Sequence, residues 1–245
     1  MVLRSGAVDA GGSLRPAARF LVAVAAAFAA CVWAGAEARP ARGPIDHHAT
    51  VRNGEVMGSA FLIAPGIAVT NAHVVAGLAP GAPLALAAPG AAAAGRLVAV
   101  SPRMDLAVLR VPAGFVAPVP ATDADERRGL AVRAAGVDAS GGPQAGARME
   151  LAGAVIGPRQ RLGAYGPGMI VRMPGVRPGF SGGPVFDAGG RLVGMIAAIR
   201  SSPATLAAAA SGLAPAGARY ADEAFVLGAG DIRREAARLL AAADD

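Results

Sequence analysis

The chain has a single cysteine, Cys31, and no lysine at all in its 245 residues. One thiol can form no intramolecular disulfide and no thiolate metal site, so core packing alone must hold the fold. Aromatic residues make up 4% of the chain, and the 54% hydrophobic content is inflated by alanine. Histidines number three: His47, His48 and His73. All 23 basic residues are arginines, and a net charge of +6 with a pI near 11 would suit a nucleic-acid binder. The arginines are scattered, however, never more than two in a row, with no aromatics interleaved among them. Asp123 to Arg128 even mixes both signs. A solvated basic surface is expected, and nucleic acid is not an expected partner.

The length allows one large or two small domains. Arg4, Arg15 and Arg19 precede Phe20 to Ala36, a run of 17 residues without a charge. At 1.5 Å per residue a helix of that length reaches roughly 25 Å, short for a membrane span. Ala34-Gly35-Ala36 and Ala36-Glu37-Ala38 each resemble a small-residue cleavage site. Together these features read as a secretory signal peptide over residues 1–38, which directs the protein to the periplasm or the medium. Two alternatives remain open: an uncleaved membrane anchor, and lipidation at Cys31 through the weak box Phe28-Ala29-Ala30-Cys31. Residues 39–44 are a basic, proline-bearing linker, and the mature domain is expected from Ile45. His47 and His48 sit in no recognisable ligand spacing and are expected at the surface or a strand edge, so no metal is expected.

From Val51 the chain alternates short apolar runs with Gly/Pro turns. Asn53-Gly54 is a hairpin signal. Ser59–Ile63, Ile67–Thr70, Leu97–Val100 and Asp105–Val111 read as strands, the last opening on an acid. The alanine tracts 91–94 and 207–210 have proline and glycine neighbours and are expected as loops. A second block follows with strands over Leu130–Ala135, Met149–Ile156, Met169–Met173, Val185–Phe186, Leu192–Ile199 and Glu223–Leu227. Asp231 is a candidate N-cap for a helix over Ile232–Ala242, with Ile232, Ala236, Leu239 and Leu240 on one face. This cadence predicts an all-β barrel or sandwich with a C-terminal helix.

Pro178-Gly179-Phe180-Ser181-Gly182-Gly183-Pro184 is a tight, glycine-flanked loop with one hydroxyl at its centre. Such a loop can expose the Ser181 Oγ and aim the Gly179 and Ser181 amides at a developing oxyanion. A serine needs an imidazole to take its proton, and the imidazole needs a carboxylate on its other nitrogen. His73 and Asp105 are the candidates, 32 residues apart, with Ser181 a further 76 residues on. Gly179-x-Ser181-x-Gly183 also matches the nucleophile elbow of α/β-hydrolases as a bare pattern. That fold places its histidine after the serine. All three histidines precede Ser181, which excludes it.

Thr70-Asn71-Ala72-His73-Val74-Val75, Met104-Asp105-Leu106-Ala107-Val108-Leu109 and the Ser181 loop together resemble the three motifs of trypsin-like (chymotrypsin-fold) serine peptidases, closest to the bacterial HtrA/Deg-like branch. The resemblance spans residues 45–243 and implies two perpendicular six-stranded antiparallel β-barrels, about 45–120 and 128–230, with a helix over about 231–243. It implies that His73 is the general base, Asp105 its orienting acid and Ser181 the nucleophile, with the oxyanion bound by Gly179 and Ser181. It also implies protein or peptide substrates and no cofactor. Gly175, Ala197, Ala198 and Ile199 would line the primary specificity pocket. With no acid at Gly175, a basic side chain there would be desolvated and unpaired, so small or apolar P1 residues are expected. Phe180 departs from the Asp or Asn of relatives; activation by an N-terminal ion pair is not expected, and the ring must find a pocket. No PDZ-like stretch follows. A catalytically silent relative serving as a binding or scaffolding module is the alternative.

Overall fold

Antiparallel hairpins, each pinned by a glycine turn, generate most of the architecture. The computed structural model describes residues 43–141, 145–202 and 221–244. The signal segment, most of the linker and the alanine tract 207–210 lie outside the described residues. β1 (His48–Asn53) and β2 (Val56–Ala64) pair with Asn53 opposite Val56. Gly54 sits at φ +56° as the first central residue of this two-residue turn, a conformation glycine adopts without strain. β3 (Ile67–Thr70), β4 (Pro83–Ala88), β5 (Ala91–Val100) and β6 (Ala107–Arg110) complete a closed barrel in the order β1-β2-β3-β6-β5-β4.

Two expectations change here. Residues 91–94 open β5 instead of forming a loop, pairing with β4 from Ala88↔Ala91 to Leu86↔Ala93. The hairpin ladder outweighs alanine's weak strand preference. β6 begins at Ala107, so Asp105 stands in the connection before it, where its carboxylate is not committed to a strand face.

The second barrel is a ring of β7 (Ala131–Val137), β8 (Arg148–Val155), β10 (Gly166–Val176), β13 (Ala221–Gly228), β12 (Leu192–Arg200) and β11 (Pro184–Asp187), with β11 returning to β7. A short β9 (Gln160–Leu162) hangs on β10. Both barrels are therefore six-stranded and antiparallel, as the resemblance to trypsin-like peptidases implies.

Alternation sorts side chains to three cores. Val51, Leu62, Leu86, Leu97 and Leu109 fill the first barrel. Val132, Met173, Val185, Val193 and Val226 fill the second. The third core joins Phe61, Leu106 and Val108 of the first barrel to Met195, Phe225 and Leu227 of the second. It also takes Ile232, Ala236 and Leu239 of the helix α1 (Ala229–Asp244). Burying Ile232 and Leu239 contributes roughly 1.5–3 kcal/mol each. The helix starts two residues before Asp231, which lies in its first turn with its carboxylate bonded to Arg159 and Arg234. An acid there favours the helix N-terminus as well as a cap would. Among the described residues no helix is long and apolar enough to cross a membrane.

Candidate active site

His73 lies in a short 3-10 turn (Ala72–Val75) that leaves β3. Asp105 holds it by two bonds. One carboxylate oxygen accepts the His73 backbone N–H at 3.0 Å, and the other lies 2.7 Å from the ring Nδ1. The carboxylate thus keeps the ring proton on Nδ1 and leaves Nε2 as the basic nitrogen. The Asp105 connection is itself fastened. Asn71 Nδ2 donates to its carbonyl at 2.8 Å, and its own N–H donates to the Tyr165 carbonyl at 3.0 Å. Ser101 Oγ accepts from the Arg103 and Met104 amides and donates to Glu235 of α1 at 2.5 Å. Hydrogen bonds from Arg238 and Ser101 hold the Glu235 carboxyl below its ordinary range against the opposing effect of burial. The C-terminal helix therefore steadies the loop that carries Asp105.

The Ser181 loop meets β2 from the second barrel. Its carbonyl accepts the Ser59 N–H at 2.8 Å. A β-carbon on Gly58 would lie 2.8 Å from the Val74 side chain and 3.3 Å from the Ser181 carbonyl. One backbone position on β2 thus touches both the residue after His73 and Ser181. Ser59, fully buried, spends all its polar atoms on this junction. Besides its amide, Oγ donates to the Gly179 carbonyl at 2.7 Å, and its carbonyl accepts from Thr70 Oγ1 at 2.7 Å. With that hydroxyl proton used, Ser59 accepts from His48 Nε2 at 2.8 Å, which puts the His48 proton on Nε2. Burial, reinforced by the Arg148 charge, lowers the His48 pKa to about 3, so the ring is neutral. At Gly182, φ +87°, an added β-carbon would fall 1.9 Å from the Ser59 carbonyl, so only glycine permits this approach.

Arg177-Pro178-Gly179-Phe180 forms a tight turn. The Phe180 N–H donates to the Arg177 carbonyl at 3.2 Å, and Gly179 has φ +98°. Proline second and glycine third is the type II signature. The Ala139 N–H takes the Pro178 carbonyl at 2.9 Å. Because the peptide is planar and trans, the Gly179 N–H points the other way. Among the described residues neither the Gly179 nor the Ser181 N–H donates to a backbone carbonyl. Phe180 has found its pocket: it is fully buried in the second barrel's core, with its ring over Gly136.

Beneath the turn lies a buried ion pair, Arg177 Nη1 to Asp138 at 2.9 Å, with Arg177 Nε donating to the Gly175 carbonyl at 3.0 Å. Burial alone would raise the Asp138 carboxyl. Hydrogen bonds from the Ser140 hydroxyl and amide and the Arg177 guanidinium outweigh that and hold it below its ordinary range. A depressed carboxyl contributes stability that is present above the ordinary carboxylate pKa and lost as pH falls through the native value. Asp138→Asn leaves the Arg177 charge without its counter-ion and is expected to cost about 2–3 kcal/mol at pH 7. In urea titrations the penalty should shrink below pH 4, roughly the unfolded carboxylate pKa. A pH-independent penalty would contradict this account.

The proposed pocket residues come from β10 and β12. Gly175 lies near the end of β10 at φ +85°, beside Leu151 and the Arg177 guanidinium. Ala197 is buried next to the Gly182 peptide, whose N–H donates to the Ile196 carbonyl at 2.8 Å; Ala198 and Ile199 are half-buried. Glu223, 3% exposed, pairs in register with Arg200, the residue after Ile199, and also with Arg172. Its charge is already matched, so it leaves little field for an incoming cation. His47 and His48 are not at the surface either, being 6% and 0% exposed. His47 Nδ1 lies 3.0 Å from the Ala117 carbonyl, and its ring packs on Phe186. Sequence reasoning missed Ser59, His48, the Asp138–Arg177 pair and the Ser101–Glu235 tie. All join distant segments, and no local spacing announces them.

A family profile for the trypsin-like peptidase domain matches residues 58–195. No curated protein matches the sequence. Among solved structures, the inactive form of a serine-to-alanine mutant of Rv3671c from M. tuberculosis H37Rv is similar at 24% identity and TM-score 0.60, covering 81% of this chain and 88% of that one. The active form of the Rv3671c protease is 23% identical with TM-score 0.59, covering 98% and 94%. The HtrA-type protease AlgW with a tripeptide is 22% identical with TM-score 0.58, covering 78% of this chain and 58% of its own. These likenesses carry the fold, and the domain match, more than half the chain, carries the family. The chain belongs to the trypsin-like peptidases.

Proposed function

We propose that the protein is an exported serine endopeptidase that cuts polypeptides through an acyl-enzyme. The observation that carries the reading is the Asp105 carboxylate bonded to both the backbone N–H and the Nδ1 of His73, which aims an unprotonated Nε2 outward. Ser181 Oγ attacks the scissile carbonyl as His73 Nε2 takes its proton, and the Gly179 and Ser181 amides bind the oxyanion. The imidazolium passes that proton to the leaving amine. Water, deprotonated by the same nitrogen, then releases the acid product and restores Ser181. Gly175, Ala197, Ala198 and Ile199 are proposed to line the P1 pocket, which takes small or apolar side chains. Export rests on the arginine-led, charge-free segment 20–36, with periplasmic or secreted placement. A fluorophosphonate should label the protein at Ser181, and Ser181→Ala should abolish the label. Folded protein that resists labelling would instead be a silent binding module on the same fold.

A further inference from the structure

Two cavities lie on the elements that carry the candidate site, and each presents an arginine that pairs with no carboxylate among the described residues. The first, about 510 Å³, starts at His73 and is floored by Met104 and Tyr165 with Arg103 and Arg161 at its rim. Among the described residues Arg161 pairs with no acid; its one side-chain bond is to the Arg103 carbonyl at 3.3 Å. Arg103 lies 3.9 Å from Glu235, whose carboxylate is already taken by Arg238 at 2.7 and 2.9 Å and by Ser101. The second, about 420 Å³, is lined by Thr50, Arg52, Met57, Leu86 and Arg148. One lining residue, Met57, lies on β2 two residues before Ser59, whose amide holds the Ser181 carbonyl. Arg52 and Arg148 have no carboxylate partner among the described residues, and Arg148 Nη1 is buried with no hydrogen-bond acceptor. Partial burial pushes the Arg148 pKa below its ordinary value. Among the titratable neighbours, His48 is neutral, and the Asp105 carboxylate, which lines the first cavity, bonds to His73 through both oxygens and pairs with neither arginine.

A buried donor without a partner in a native fold calls for an absent acceptor. An anionic acceptor small enough for each cavity, carried on a bound polypeptide, would satisfy both the donor and the charge. We propose that the two cavities are subsites for acidic side chains of the substrate, so that the enzyme selects polypeptides with Glu or Asp flanking the bond it cuts. This rests on the peptidase reading and deepens it. A nucleic acid would offer the same charge, but the lining has one aromatic ring, Tyr165, and no stacking platform for successive bases.

The test uses Ser181→Ala protein and a fluorescein-labelled Glu-rich dodecapeptide, with its Gln counterpart as reference, followed by anisotropy. The Glu peptide should bind roughly tenfold tighter at low salt, with the advantage fading above about 0.3 M salt. Arg161→Gln and Arg148→Gln should each reduce the preference about two- to fivefold. Arg110→Gln, which removes the same charge from an exposed pair with Asp244, should leave it intact. Arg161 is exposed on β9, so its replacement tests the idea even if Arg148→Gln misfolds. Equal binding of the two peptides, a preference that survives both cleft substitutions, an equal loss in Arg110→Gln, or stronger binding of a single-stranded oligonucleotide of equal charge would each overturn the proposal. Failure of the peptidase reading looks different, as absent fluorophosphonate labelling with the acidic preference unchanged.

Discussion

Ser181→Ala should lower kcat on any cleaved peptide by about five to six orders of magnitude, and His73→Ala by a similar factor. Asp105→Asn should cost about 10⁴, because an amide at this position can no longer hold the ring proton on Nδ1. The three act as one unit, so the Ser181→Ala/His73→Ala double variant should be no slower than either single one. His73 is half exposed and Ser181 only partly buried, so neither is a packing residue. Urea midpoints of these two variants should therefore stay close to the parent. Peptide turnover surviving in Ser181→Ala would end the assignment.

Phe180→Ala should be the most damaging single change to stability near the site, at about 3–5 kcal/mol. The ring is fully buried in the cluster with Val132, Met173, Val185 and Val226, and the backbone on either side of it forms the Gly179 turn and carries the proposed nucleophile, Ser181. Losing it opens a cavity under both, so thermal denaturation should come roughly 6–20 °C earlier. At temperatures where the variant stays folded, kcat should fall with KM nearly unchanged, as the Gly179 and Ser181 amides lose their fixed aim. The contact can be isolated through Gly136, where a β-carbon would sit 2.4 Å from the ring. Gly136→Ala should destabilise the parent but cost less in a Phe180→Leu background, a coupling read from a double-mutant cycle. Strict additivity would show that the ring is not held at Gly136.

What could be read from the chain alone was whatever repeats locally. Alternating apolar residues and Gly/Pro turns gave the strands, because burial on one face imposes period two along a strand. The triad types were recognisable because each chemical role accepts few side chains, and each sat in a short motif. Residues 91–94 misled because alanine fits loop, helix or strand, and only pairing with β4 decides among them. Histidines 47 and 48 misled because polarity suggests a surface, whereas a buried imidazole costs little once neutral and bonded.

Composition and local pattern by themselves determined an all-β chain ending in a helix, with a serine, a histidine and an aspartate suited to one another. Only the closed barrels decided what lies beside them: Ser59 joining β2 to the Ser181 loop, Asp138 bonded to Arg177, Phe180 over Gly136, and cavity arginines with no carboxylate partner among the described residues. The physical reason is range. Secondary structure follows from side chains two to four positions apart, while the orientation of a carbonyl and the burial of a charge depend on segments some forty to a hundred and twenty residues distant.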